Sequence, residues 1–135
     1  MIVVSILEAD EFGEELYSFM RESLTGLIKQ QHVGVVTAAG DTKGMIYRLL
    51  SELSIEYPHV FFTILLSNDK LAYEGGNEKN PTIFSLNYGF AYEDPRKAKY
   101  IRRNVLIERS DIVICLKKHC NGIRKLNSYC DIMVV

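Results

Sequence analysis

The sequence predicts a three-layer α/β sandwich, a five-stranded parallel sheet with helices on both faces. Two observations carry this. Short, β-branched apolar runs alternate with amphipathic helical stretches along the chain, and strands that alternate with helices imply parallel pairing through right-handed crossovers. Several of the runs are apolar at consecutive positions, as strands covered on both faces require. No internal repeat, low-complexity tract or second composition regime interrupts the pattern, so residues 1–135 are read as one domain.

The first strand is Ile2-Val3-Val4-Ser5-Ile6-Leu7, which stops at acidic residues. Asp10 then stands as a candidate N-cap before a helical period of Leu16, Phe19, Met20, Ser23, Leu24, Leu27 and Ile28. Glu11, Glu14 and Glu15 suit the positive end of that helix. Val33-Gly34-Val35-Val36-Thr37 is the second strand, followed by a small-residue turn and a helix carrying Met45, Ile46, Leu49, Leu50 and Leu53 on one face. Pro58 ends that unit, and Val60-Phe61-Phe62-Thr63-Ile64-Leu65-Leu66 is the third strand.

Residues 67–93 read as a long loop, rich in Gly, Asn and Pro and interleaved with Tyr73, Phe84, Tyr88, Phe90 and Tyr92. Loops of that length in compact domains are uncommon and often functional. Asp94-Pro95 opens a third helix, marked by Ala98, Ile101, Val105 and Glu108. Asp111-Ile112-Val113-Ile114-Cys115-Leu116 is the fourth strand. A short helix around Ile123, Leu126 and Tyr129 leads to the fifth, Asp131-Ile132-Met133-Val134-Val135.

Composition excludes several classes. Sixteen basic residues against seventeen acidic give a net charge of −1 over 135 residues, and the pI is near 6.3. Such a balance supplies no general attraction to nucleic acid or anionic lipid. No apolar run approaches the ~20 residues of a membrane span, and Glu8, Asp10 and Glu11 follow the apolar N-terminus too soon for a secretory signal. Three unevenly spaced cysteines fit a reducing compartment, so a cytoplasmic setting is expected. A chain of this length buries roughly two-thirds of its unfolded surface and needs no metal or disulfide staple.

In parallel sheets ligands bind at the carboxyl ends of the strands, where strand order reverses. Three loops meet that description: 7–10, 37–44 and 117–122. The second, Thr37-Ala38-Ala39-Gly40-Asp41-Thr42-Lys43-Gly44, joins a strand to a helix with residues small enough for backbone N–H groups to approach an anion. It is equally well a tight turn with Asp41 or Thr42 as N-cap. Arg102, Arg103, Asn104 and Arg109 form either a solvated basic face or contacts to carboxylate or phosphate. Cys115, His119, Cys120 and Cys130 look like a zinc set only superficially, because Cys115 falls within a buried strand; no metal and no cofactor is expected. His119 and Cys120 have no evident neighbour to orient the imidazole as a nucleophilic pair would need. His32 and His59 lie at strand entrances, away from the expected site.

Two segments carry a family likeness. Glu56-Tyr57-Pro58-His59-Val60 resembles the "E-Y-P-H-I" segment of small bacterial proteins in the SLOG superfamily. Ala98-Lys99-Tyr100-Ile101-Arg102-Arg103-Asn104-Val105-Leu106-Ile107-Glu108-Arg109-Ser110-Asp111 is similar to their "A-x-Y-x-x-R-N-x-x-M-I-D-x-S-D" stretch. The resemblance spans about residues 45–116. It implies a Rossmann-like domain with strand order 3-2-1-4-5, a nucleotide or nucleotide-derived ligand above the first and fourth strands, and Arg103 and Asn104 as ligand contacts. Where relatives end the first strand in Gly-His-Arg, this chain has Leu7-Glu8-Ala9. Where the related phosphoribohydrolases carry a Pro-Gly-Gly-x-Gly-Thr loop and a catalytic glutamate, it has Lys117-Lys118-His119-Cys120-Asn121-Gly122-Ile123.

The resulting expectation is a domain that binds or senses a nucleotide-derived small molecule and pairs as a homodimer through the aromatic segment. Its expected ligand contacts are Thr37, Gly40, Asp41, Thr42, Lys43, Gly44, Arg103, Asn104, Asn121 and Gly122. The first alternative is an N-glycosidic or phosphoribosyl hydrolase or transferase, with Glu8, Asp10 or Asp41 as its carboxylate. The second is a protein-interaction module whose ligand site is vestigial.

Overall fold

The computed structural model describes residues 1–39, 44–66, 82–85 and 95–135. In chain order the elements are β1 (Ile2–Ile6), α1 (Tyr17–Gln30), β2 (Val33–Ala39), α2 (Met45–Glu56) and β3 (Phe61–Leu66). They continue with β4 (Thr82–Ser85), α3 (Pro95–Glu108), β5 (Ile112–Cys115), α4 (Ile123–Leu126) and β6 (Asp131–Val134). All strand pairs are parallel, in the order β4-β3-β2-β1-β5-β6. The five expected strands are β1, β2, β3, β5 and β6, and among themselves they take the order 3-2-1-4-5.

The sixth strand, β4, lies inside the stretch expected to be all loop. It extends the edge beyond β3, with Thr63 opposite Thr82 and Leu66 opposite Ser85. Four residues are too few for an alternating signal, and the ladder of unpaired backbone groups on an open edge strand is what recruits them. Tyr73, Tyr88, Phe90 and Tyr92 lie outside the described residues, as does the side chain of Phe84.

Alternation along the strands builds the three layers. Val4, Ile6, Val35, Phe62, Ile64, Ile112 and Ile114 face one side and pack against Met20 and Leu24 of α1 and Ile46, Leu49, Leu50 and Leu53 of α2. Leu7, Val113 and Cys115 face the other, against Leu106 and Ile107 of α3 and Ile123 of α4. The apolar face expected for α2 is buried throughout. Its N-cap is Gly44, in an extended conformation.

Two helices differ from expectation. Asp10 does not cap α1. The chain makes two 3-10 turns, Ala9–Glu11 and Glu14–Leu16, and α1 begins only at Tyr17. The cause is Phe12, which is drawn into the core with extended backbone and is followed by an extended Gly13, so no helix can run back to Asp10. Phe19, expected inside, is exposed, because the buried stripe of α1 centres on Met20 and Leu24.

Helix α3 starts at Pro95 as expected, but it does not bury Val105 or Glu108, both of which are exposed. Leu106 and Ile107 go into the sheet instead. One turn back from them on the same face is Arg103.

The end of α3 is pinned by side chains from elsewhere. Asn127 Nδ2 donates to the carbonyls of Ile107 and Ser110, at 2.9 Å each. The Ser110 hydroxyl donates to the Leu106 carbonyl and pairs with Ser5 Oγ. Asp111 Oδ2 accepts from the Val3 N–H at 2.8 Å. The Ser-Asp half of the α3 segment therefore anchors the amino ends of β1 and β5. Glu56-Tyr57-Pro58-His59 likewise forms the turn from α2 into β3, with the Tyr57 N–H on the Leu53 carbonyl and Glu56 paired to Arg21.

Candidate functional site

Chain order reverses beside β1: β2, β3 and β4 build outward on one side, and α3 carries the chain back to place β5 on the other. The crevice at the carboxyl ends of β1 and β5 is thus the switch point of the sheet. The Leu7 N–H still bonds the Ile114 carbonyl at 2.9 Å, and the strands part beyond it.

Glu8 is the first residue past the split and has φ 50° and ψ 44°, the left-handed region. A non-glycine residue there costs on the order of 1–2 kcal/mol. Two contacts hold it. The Glu8 carbonyl accepts from the Glu11 N–H at 2.9 Å, closing the Ala9–Glu11 turn. Its carboxylate pairs through Oε1 with Arg103 Nε at 3.1 Å. The two side chains are only 8% (Glu8) and 17% (Arg103) exposed. Arg103 also donates through Nη2 to the His119 carbonyl at 2.8 Å, so one guanidinium joins the exits of β1 and β5. Glu8 Oε2 and Asn104 Oδ1 are buried without a hydrogen-bond partner.

A second, more exposed contact spans the same gap. Glu11 pairs with His119 Nε2, and Lys118 Nζ lies 3.1 Å from Glu11 Oε2. The hydrogen bond from His119 is the main influence holding the Glu11 carboxyl below its ordinary range; desolvation opposes it and Lys118 assists. The group's stabilising contribution is therefore full above the unfolded carboxylate pKa of about 4.3 and is lost as pH falls through the depressed folded value. Glu11→Gln is expected to cost under about 1 kcal/mol above pH ~5.5, since the pair is partly solvated, and nothing once both proteins are acidified below the folded value. Urea denaturation of both proteins across this range measures the difference; a gap that persists at low pH would contradict it.

The expected site residues distribute unevenly. Thr37 is fully buried, and its Oγ1 donates to the Ile6 carbonyl at 2.9 Å, so the hydroxyl serves the sheet. Thr37→Val keeps the shape and removes this buried hydrogen bond; a loss of about 0.5–1.5 kcal/mol in chemical denaturation is expected. Gly40, Asp41, Thr42 and Lys43 lie outside the described residues, and Gly44 is exposed at the start of α2. Asp10 is exposed within the turn after β1. Asn121 and Gly122 are exposed in the turn after β5, where Gly122 takes φ 84° and leads into α4. On the same edge, the first turns of α3 line an open groove of about 410 Å³ with Arg96, Lys97, Tyr100 and Ile101.

The three thiols are free. Burial, then the neighbouring Cys120, pushes Cys115 up to about 12, and burial raises Cys130. The imidazole of His119 does have an orienting group, Glu11, contrary to expectation. Cys120 Sγ, however, donates to the Leu116 carbonyl at 3.2 Å. Among the described residues no three His, Cys, Asp or Glu side chains converge to hold a metal ion.

What sequence reasoning missed is the contact of Glu11 with Lys118 and His119. Its signal was available in a coarse form: an acidic run after one strand and a basic run after another fated to lie beside it. No protein-family model, curated protein or solved structure matches this chain. No helix among the described residues is long and apolar enough to cross a membrane.

Proposed function

We propose that this chain is a SLOG-like domain that binds a nucleotide-derived small molecule in the crevice between the ends of β1 and β5. The observation that carries the proposal is the Glu8–Arg103 pair. A buried ion pair is a poor way to stabilise a fold, and this one is joined to a left-handed glutamate and a buried carboxylate oxygen with no partner. Strained and unsatisfied groups gathered at a switch point are what a ligand site looks like before the ligand arrives.

In this proposal the ligand's phosphate lies at the start of α2, on the N–H groups of residues 40–44, with Lys43 adding charge. Arg103 spends Nε and Nη2 within the protein, so it acts chiefly by fixing Glu8 and turning the remaining edge of its fork toward the ligand. Asn104 contributes its unpartnered Oδ1. The domain is further proposed to be cytoplasmic, which its three free thiols support. It is proposed to be homodimeric through the aromatic segment 67–93; a monomer in light scattering would remove that part.

A second proposal, hydrolysis or transfer at an N-glycosidic or phosphoribosyl bond, rests on the same Glu8 Oε2, since such chemistry needs a carboxylate beside the glycosidic carbon. Isothermal titration with ribonucleoside mono-, di- and triphosphates tests the binding proposal, and saturable uptake of at least one is expected. Release of free base during the same incubation would favour the enzyme. Absence of any binding would leave the interaction module as the better account.

A further inference from the structure

We infer that Cys115 and Cys120 form a redox-active dithiol: a small oxidised disulfide of the glutathione class converts them into an intramolecular disulfide across the turn that follows β5. The inference stands apart from the nucleotide proposal and survives its failure.

The turn brings the two thiols together. Cys115 is the last residue of β5, and its side chain lies in the apolar cluster under α3. The chain then makes a 3-10 turn at Lys117–His119, with the His119 N–H on the Leu116 carbonyl at 2.8 Å. That turn returns Cys120 to the cluster that holds Cys115. Cys120 Sγ donates to the Leu116 carbonyl at 3.2 Å, and the Cys115 thiol in turn hydrogen-bonds Cys120. Sulfurs already side by side need only a short approach to reach the bonded length of about 2.05 Å. Cys130 is engaged elsewhere, its Sγ donating to the Asn127 carbonyl at 3.3 Å.

The two thiols are unequal, and the inequality sets the order of events. Cys115 is fully buried, whereas Cys120 is partly exposed and is the one an oxidant reaches. Cys120 thiolate attacks one sulfur of the small disulfide, forms a mixed disulfide and expels one thiolate. Cys115 then gives its proton to solvent and attacks Cys120 Sγ, which closes the protein disulfide and expels the second thiolate. Two protein thiols and one small disulfide thus become one protein disulfide and two small thiols. In the reduced protein, burial and the adjacent Cys120 hold the proton on Cys115. Once Cys120 is in the mixed disulfide it carries no charge to oppose ionisation of Cys115, while Arg103 nearby still favours it.

The segment enclosed by this bond carries the His119 carbonyl that accepts from Arg103 and the His119 ring that pairs with Glu11. Oxidation therefore acts on the two contacts that join the exits of β1 and β5.

The test incubates the reduced full chain with oxidised glutathione, then blocks free thiols and reads intact mass and non-reducing peptide maps. The wild type is expected to lose two hydrogen atoms, to carry one bond joining residues 115 and 120, and to regain its mass on reduction. Cys115→Ala is expected to stop at a glutathione adduct on Cys120, because the resolving thiol is gone. A wild-type adduct that persists on Cys120 would overturn the inference, as would a bond involving Cys130, a bond between two chains, or thiols left wholly unmodified by excess oxidant. Should Cys115→Ala not fold, Cys120→Ser removes the attacking thiol at the more exposed position, and complete loss of the oxidised product is expected; an undiminished reaction there would equally overturn it.

Discussion

Arg103→Ala is expected to destabilise the protein by about 3–5 kcal/mol, because it leaves the Glu8 carboxylate buried and uncompensated. Both side chains are shielded well enough for the pair to behave as an interior one, and the same substitution strips the His119 carbonyl of its donor. In a domain of 135 residues this corresponds to a fall in Tm of roughly 10–20 °C. The double variant Glu8→Gln/Arg103→Met, which removes both charges and keeps most of the volume, is expected to recover more than half of the loss. Replacing a buried pair by neutral groups is often close to neutral, whereas breaking it is not. Thermal and urea denaturation of the wild type, the single variant and the double variant complete the test. A loss below about 1 kcal/mol in Arg103→Ala would mean a solvated surface contact, and the crevice would lose its central feature.

That pair also shows how far the sequence could be read. The neighbourhood was legible: alternation of strands and helices places the exits of β1 and β5 together, and α3 beside them. The contact itself was not. Glu8 and Arg103 are separated by most of the fold, and a basic helical stretch is more often solvated than buried. The choice turned on which face of α3 meets the sheet, and Arg103 shares its face with Leu106 and Ile107 rather than with Val105.

The same limit explains the other differences. The α2 stripe was read correctly because five apolar residues at helical spacing leave one possible buried face. At the start of α1 a local rule favoured capping by Asp10, but burial of Phe12 outweighed it. Thr37 invited a ligand role as a polar residue at a strand exit, yet its buried hydroxyl bonds the Ile6 carbonyl of the neighbouring strand. The contacts of Glu11 with His119 and Lys118 depend on two turns brought together only by strand order. Segments with a periodic pattern declare themselves; polar pairs across a switch point do not.

Strand β3 poses that problem in its purest form, and two adjacent phenylalanines resolve it. Phe61-Phe62-Thr63-Ile64-Leu65-Leu66 is apolar on both faces but for Thr63, so its sequence scarcely states which phenylalanine is the core residue. Pairing with β2 sets Phe61 opposite Gly34 and Phe62 opposite Val35. That register sends Phe62, fully buried, into the layer under α1 and α2, and leaves Phe61 62% exposed. Phe62→Ala is therefore expected to cost about 3–5 kcal/mol, the loss of a buried ring together with the cavity it leaves. Phe61→Ala is expected to stay within about 0.5 kcal/mol of the wild type. Urea denaturation of both variants measures the contrast directly. Because side chains alternate with a period of two, a slip of one residue would reverse the two results and turn Ile64 away from the core as well. Equal or reversed costs would thus displace β3 against β2, and with it the carboxyl edge from which the site beside Glu8 is built.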